Sequence, residues 1–367
     1  MTAPPLRALI VGAGLMGTSL GLALRRAGTE AYLEDIDPNH VRLALSLGAG
    51  RTPPPADFGR STSSYRDIVV VAVPPAVLGA TIADALTRFP SAVVTDLGSV
   101  KVEPATAVTS RVPEHAGRYV GGHPMAGSEQ SGPLAARADL FDGRAWAVTP
   151  HTSSRPEAIA MVGELAELCR AFAVRMSPAA HDEAVALVSH LPQVASSVVA
   201  SLLAAADEEQ LLLAGQGLRD VTRIAAGDPE LWTQILTSNA EPVAKLLHES
   251  AERLHQLAVL LEKSDPAASP EGLRAALERG VAGVRRLPGK HGMRPEEFAV
   301  VTVQLRDQPG ELARLFADVS AAGVNIEDVR IDHSPGTPAG LAQLAVHPDA
   351  ESTLLRALAE TGWDLHG

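Results

Sequence analysis

Apolar positions recur along this chain in two rhythms. Up to about residue 176, short β-branched or apolar runs alternate with stretches of helical periodicity, the pattern of a parallel sheet covered by helices. Residues 6–11, 31–34, 68–73, 92–95, 118–121 and 145–149 are the predicted strands. From about residue 178 to 262 the strand rhythm disappears, and leucines such as Leu246, Leu247, Leu254, Leu257, Leu260 and Leu261 recur at helical spacing. Alanine-rich helices with more than one apolar face bury themselves against other helices or a second subunit, so this part is read as an all-α dimerisation region.

A third rhythm begins near residue 298. Strand-like alternation at 298–305, 324–331 and 341–346 is interleaved with helical patterns at 311–322 and 352–360. The order βαββα is that of a small ferredoxin-like α+β unit whose final strand must be very short. Proline and glycine clusters at 264–270 and 285–292 mark breaks, the second of them a linker. The predicted architecture is therefore an α/β Rossmann-type domain (1–176), an all-α domain (177–284), a linker (285–296) and a terminal α+β domain (297–367).

Composition narrows the function classes. The 367 residues are 46% hydrophobic and 20% charged, a globular balance, and no apolar run approaches the ~18 residues of a bilayer span, so no membrane partner is expected. The N-terminus passes directly from Met1 into the first strand without a signal-peptide pattern, which predicts a cytoplasmic protein. A net charge of −12 without a basic stripe argues against nucleic acid. The one cysteine, Cys169, rules out an intrachain disulfide and predicts a buried helical thiol; no metal site is expected.

The candidate chemistry sits at predicted strand ends. Gly12-Ala13-Gly14-Leu15-Met16-Gly17 links the first strand to a helix: Gly12 for the turn, Gly14 for close approach of a pyrophosphate, Gly17 for helix packing. Asp35 closes the second strand, where a carboxylate accepts hydrogen bonds from the ribose hydroxyls and repels a 2′-phosphate, so the expected cofactor is NAD; Glu34 can share this role, and Arg42 lies farther along. Val73 and Pro74 end the third strand at the same edge. Ser99 and Lys101 follow the fourth, and His123 lies in Gly121-Gly122-His123-Pro124, as either a structural histidine or a group presented to the cofactor cleft.

In the helical region, Ser189-His190-Leu191-Pro192-Gln193 places a proline inside an apolar helix, with His190 either filling the kink or touching a ligand. Arg219, Asp220 and Arg223 follow in Arg219-Asp220-Val221-Thr222-Arg223, where Asp220 and Arg223 form either an exposed ion pair or an arginine oriented for a substrate carboxylate.

Together these segments resemble the prephenate/arogenate dehydrogenase family over residues 6 to about 262. The tail, with Asp307-Gln308-Pro309-Gly310 and Gly323-Val324-Asn325-Ile326, resembles an ACT domain, a module that binds amino acids at domain interfaces. The resemblance implies NAD-dependent oxidative decarboxylation of prephenate to 4-hydroxyphenylpyruvate in tyrosine biosynthesis. It implies His123 as the catalytic base and Ser99 as its partner on the substrate hydroxyl. Arg223 is implied as the substrate-binding arginine oriented by Asp220, and His190, Gln193 and Arg219 as further pocket residues. Many members have a histidine where this chain has Gln193, which leaves prephenate and arogenate both open as substrates. Asp307, Gly310 and Asn325 are the expected contacts of a regulatory amino acid, with tyrosine the expected effector.

Two rival readings differ in class. A β-hydroxyacid dehydrogenase would use a lysine in the helical region, and Lys245, the one lysine between Lys101 and Lys263, has no setting that suggests it. A nonenzymatic NAD- and amino-acid-sensing regulator would have no use for Ser99, His123 and Arg223 together.

Overall fold

The computed structural model describes residues 4–60, 64–127, 130–262, 269–287, 298–333 and 339–366. In chain order the elements begin β1 (Leu6–Val11), α1 (Leu15–Arg26), β2 (Glu30–Glu34), α2 (Pro38–Ser46), β3 (Arg66–Val71), α3 (Pro75–Arg88), β4 (Val93–Asp96) and α4 (Val102–Arg111). Next come β5 (Gly121–Pro124), β6 (Ala145–Thr149), α5 (Pro156–Leu168), β7 (Phe172–Arg175), α6 (Pro178–Val185) and α7 (Leu191–Leu203). The remaining helical segments are α8 (Glu208–Leu211), α9 (Gln216–Thr222), α10 (Pro229–Ser238), α11 (Ala240–Glu262) and α12 (Ser269–Val284). The chain ends with β8 (Ala299–Arg306), α13 (Glu311–Ala321), β9 (Ile326–His333), β10 (Ala339–Val346), α14 (Pro348–Glu360) and β11 (Leu365–His366). Two compact units result, one of residues 1–202 and 222–249, the other of 203–221 and 250–367.

The first unit is built on a parallel sheet of order β2-β1-β3-β4. Its central strands are buried on both faces, which is why they read as continuous apolar runs. Period-two alternation divides them: Ala8 and Ile10 face α1 and α5 through Leu20, Leu24, Val162 and Leu165, while Leu9, Val69 and Val71 face α3 through Leu78, Ile82 and Leu86. Strand order reverses between β1 and β3, so the crevice for a ligand lies beyond their carboxyl ends.

Three sequence expectations are corrected here. Residues 118–121 are not a strand: Pro113–Arg118 is a 3₁₀ turn and β5 starts at Gly121. Proline at the turn's start favours the helical conformation, and the Arg118 side chain is used as a cap. Its guanidinium donates to the carbonyls of Phe89 (2.9 Å), Ala92 (2.7 Å) and Leu86 (2.6 Å), closing the end of α3 inside the protein. The sheet is also not parallel throughout, because β5 and β6 pair antiparallel in a separate three-stranded sheet, β5-β6-β7. The unpredicted β7 completes that sheet, with Phe172 and Arg175 exposed and therefore no apolar run to betray it. Finally, the helical run Pro178–Leu203 does reach the length and mean hydropathy (1.5) of a bilayer span. Yet His181, Asp182, His190 and Gln193 on this run are buried, so its polar face packs into the unit while Leu187, Val188, Val198 and Leu202 are exposed.

The second unit ends in an antiparallel sheet of order β11-β8-β10-β9 with α13 and α14, in the sequence βαββαβ. The closing strand β11 has only two residues. Val301, Val303 and Leu305 meet Leu315, Val319, Leu354 and Leu358 in its core. Trp363 closes this core; its indole donates to Asp318 (2.8 Å) and Arg314 stacks on its ring at 3.7 Å. The piece after residue 268 is a helix of 16 residues, longer than the sequence suggested, and most of the expected linker lies outside the described residues.

Arg118 provides a test of this packing. Arg118→Leu takes the guanidinium from three buried carbonyls, of which that of Phe89 keeps the Ala92 amide (3.2 Å), and urea unfolding should read a loss of about 2–4 kcal/mol. A change below about 0.5 kcal/mol would mean that the α3 carbonyls are satisfied without the guanidinium.

Candidate active site

The glycine-rich turn after β1 is shaped by close contacts. Gly12 has φ +106, and a Cβ on it would meet the Ala72 carbonyl oxygen at 2.2 Å; one on Gly17 would meet the Gly12 oxygen at 1.8 Å. Gly14, by contrast, has open space where its side chain would be. It is the N-cap of α1, makes no side-chain cap bond, and no acidic residue follows in the first turn, so the amides beginning at Leu15 and Met16 can take an anion. Asp35 secures the turn: Oδ2 accepts from the Ala13 amide (2.6 Å) and Oδ1 from the Asp37 amide (2.8 Å). Val73 and Pro74 follow β3 across the crevice from this turn, and Pro74 is the N-cap of α3. This cradle fits a dinucleotide pyrophosphate. Ile36 beside it is fully exposed, an apolar side chain that sequence reasoning passed over.

A second group of residues gathers at a cleft of about 400 Å³ lined by Ser99, His123, Met125, His190, Gln193 and Trp232, among others. Ser99 belongs to the loop between β4 and α4, and His123 to β5. One buried carboxylate ties the two segments together. Asp96 is ion-paired to Lys101 within that loop, accepts from the Gly98 amide (2.9 Å), and receives the Tyr119 hydroxyl (2.9 Å) and the Gly122 amide (3.4 Å) beside β5. The Lys101 ammonium also donates to the Gly122 carbonyl at 2.8 Å. Burial lowers the Lys101 pKa against the pull of Asp96, and burial and the same carboxylate push Tyr119 well up. Gly122 lets the two segments pack this closely, since a Cβ there would meet the Asp96 backbone carbonyl oxygen at 2.7 Å.

The helical part of the unit supplies the opposite wall. Pro192 has no N–H for the preceding turn, and residues Ala186–His190 widen into a π turn that buries His190. Nδ1 of His190 accepts from the Asn239 side chain (3.1 Å), and Trp232 packs edge-on at 6.2 Å. Burial holds the His190 pKa down to about 4, although Asp182 pulls it up. Gln193, one turn further, is 5% exposed.

Sequence reasoning missed His181, Asp182 and Asn239. His181 Nε2 lies 2.8 Å from His123 Nδ1, and His181 Nδ1 lies 2.7 Å from Asp182 Oδ1. Asp182 accepts from the Lys101 amide (2.8 Å) and the Val102 amide (2.9 Å) at the start of α4, and Asn239 donates to its backbone carbonyl (2.8 Å). Their only sequence signal is two adjacent ionisable residues in an alanine-rich helix start. His123 is only half-buried by its surface area. Its pKa nevertheless falls well below the ordinary value, chiefly through burial of its ring, then through His181, Lys101 and His190.

Other predicted residues lie elsewhere. Arg223 belongs to the first unit and adjoins Ile224, which lines the cleft. Arg219 and Asp220 belong to the second unit, where Asp220 accepts from Gln216 (2.8 Å). Cys169 is buried, with burial pushing its thiol up to about 12. In the terminal unit Gly310, at φ +90, is the N-cap of α13 three residues after Asp307, and the Asn325 amide donates to Glu327 at 2.6 Å.

Comparison with known proteins places this arrangement. The model for the prephenate dehydrogenase nucleotide-binding domain matches residues 20–175, and that for the prephenate dehydrogenase dimerization domain matches residues 177–277. "Probable prephenate dehydrogenase NovF" of Streptomyces niveus is 37% identical, covering 97% of this chain and 98% of that protein. Prephenate dehydrogenase of Bacillus subtilis is 26% identical over 93% of this chain and 92% of its own length. Among solved structures, prephenate dehydrogenase from A. aeolicus in complex with hydroxyphenyl propionate and NAD+ superposes with a TM-score of 0.65 at 30% identity, covering 77% of this chain and 99% of that one. Synechocystis arogenate dehydrogenase gives 0.63 at 27% identity, with coverages of 76% and 98%. On these matches the chain belongs to the prephenate dehydrogenase family of NAD-dependent oxidoreductases.

Proposed function

We propose that the cleft of Ser99, His123, His190 and Gln193 oxidatively decarboxylates prephenate to 4-hydroxyphenylpyruvate with NAD as acceptor. The observation that carries this reading is the placement of Ser99 and His123 together by Asp96 at the cleft wall. NAD held in the glycine-rich cradle would supply the acceptor for the hydride on the ring carbon that bears the hydroxyl. His123 takes the hydroxyl proton as the carbonyl forms, and Ser99 fixes the hydroxyl by hydrogen bonding. Departing carbon dioxide leaves its bonding pair in the ring, which becomes aromatic. Arg223, in the same unit as the cleft, is the proposed partner of a substrate carboxylate. Gly12, Gly14, Leu15, Met16, Gly17, Val73 and Pro74 form the proposed cofactor cradle, with Asp35 on the ribose and Ile36 against the adenine face.

The same reading extends to assembly and regulation. The exposed Leu187 and Val188 of the turn between α6 and α7, with Val198 and Leu202 of α7, support a homodimer built through the helical region of a protein proposed to be cytoplasmic. The terminal βαββαβ unit is proposed as an ACT domain that binds L-tyrosine at the turn of Asp307 and Gly310 and at Asn325, and inhibits. Its strand order and the left-handed Gly310 before α13 support this assignment.

The purified chain, assayed at the reduced nicotinamide absorbance, should give its highest kcat/KM with prephenate and NAD; preference for arogenate or for NADP would replace that half of the proposal. His123→Asn should lower kcat by ~100-fold or more while NAD still binds, because general base catalysis contributes 10² to 10⁴. Since the base must be neutral and its pKa is lowered, kcat/KM should hold as pH falls through 6.5 and decline only below it. A decline already complete at pH 6.5 would remove His123 from this role. Tyrosine should inhibit the full chain and not a chain ending at residue 287; equal responses would assign the inhibition to the active site instead.

A further inference from the structure

The tautomer of His123 decides whether it can act as a base, and the groups behind it determine that tautomer. Asp182 accepts two backbone amides at the start of α4, so its carboxylate is an acceptor toward His181 as well. Neutral His181 therefore carries its proton on Nδ1, against Asp182, and its Nε2 is bare. His123 Nδ1 stands 2.8 Å from that bare nitrogen, and a contact of this length needs one proton between the two. The proton is on His123 Nδ1. Nε2 of His123 is then its basic nitrogen.

Resting on the reading of His123 as the base, we propose that His181 and Asp182 are positioning residues that lock His123 with Nε2 unprotonated and stabilise the imidazolium formed during turnover. The proton balance is closed. The substrate O–H bond breaks as the His123 Nε2–H bond forms, and the Nδ1–H of His123 remains donated to His181. The positive charge is spread toward Asp182 through the His181 ring, and when carbon dioxide has left its bonding pair in the ring the proton on Nε2 returns to the phenolate oxygen, giving the phenol of the product and restoring neutral His123. Lys101 and His190 also face this pair, and both oppose extra positive charge near His123, which makes the carboxylate at the end of the chain necessary. His181 is 1% and Asp182 4% exposed, so water does not replace either partner. The same carboxylate holds the Lys101 and Val102 amides, which couples the position of the Ser99 loop to the tautomer of His123.

Three variants of the full-length enzyme test this, each first checked for unchanged NAD binding and melting temperature within a few degrees. His181→Leu removes the acceptor at similar volume and should lower kcat ~100-fold or more with KM for prephenate and NAD changed less than about 3-fold. His181→Gln keeps an acceptor for His123 and a donor for Asp182, and should restore kcat to within about 10-fold of the parent. Asp182→Asn presents an amide N–H to His181, moves the His181 proton to Nε2 and so reverses the His123 tautomer; its kcat should fall further than that of His181→Gln. Should His181→Leu fail to fold, the contrast between His181→Gln and Asp182→Asn still decides. Equal losses in Gln and Leu variants, parent-like kcat in His181→Leu, or an Asp182→Asn variant as active as His181→Gln would overturn the proposal. Absence of any turnover of prephenate by the parent enzyme would instead overturn the functional reading on which it rests.

Discussion

A buried carboxylate must have its lone pairs filled, and Asp96 fills them from both segments that make the site. Lys101 and Gly98 come from the loop that carries Ser99, while Tyr119 and Gly122 come from the approach to His123. With Asp96 and Lys101 buried, neither charge can be left alone without a large desolvation cost. The distance between the serine and histidine segments is therefore held by electrostatics in a dry interior rather than by loop packing. This is the kind of supporting shell that precise geometry needs.

The helical region adds a second carboxylate with the same logic. Asp182 caps the start of α4 and at the same time meets His181, so one group joins the β4–α4 loop to α6. Asn239 then links the Asp182 carbonyl to His190 across the π turn. Three histidines, His123, His181 and His190, thus sit in one hydrogen-bonded neighbourhood, and burial keeps His123 and His190 neutral at pH 7. Neutral imidazoles suit a cleft whose substrate must give up a proton.

The elements that read most clearly from sequence are those whose burial is uniform. β1 and β3 are buried on both faces, and the glycine turn between β1 and α1 is dictated by contacts too close for any side chain. Ser99, His123, His190 and Gln193 were legible as motifs at strand ends and beside a proline, and the structure brings them to one cleft. What the sequence could not show depends on tertiary partners. Arg118 looks like part of a strand until the carbonyls of α3 are placed around it. β7 has too little burial to leave a pattern. His181 and Asp182 carry no periodic signal, and their importance lies in a contact with a residue 58 positions away. Arg219, Asp220 and Arg223 form one motif in sequence, yet the structure assigns the first two and the third to different units.

The claim on which the account turns is that His123 is neutral with its proton on Nδ1. Nitrogen-15 NMR of histidine-labelled protein at pH 7, with His123→Asn used to assign the signals, reads this directly, because protonated and bare ring nitrogens resonate in separate ranges. A protonated-type Nδ1 paired with a bare-type Nε2 is the result expected from the Asp182–His181–His123 arrangement. A protonated Nε2 with a bare Nδ1, or both nitrogens protonated, would contradict it.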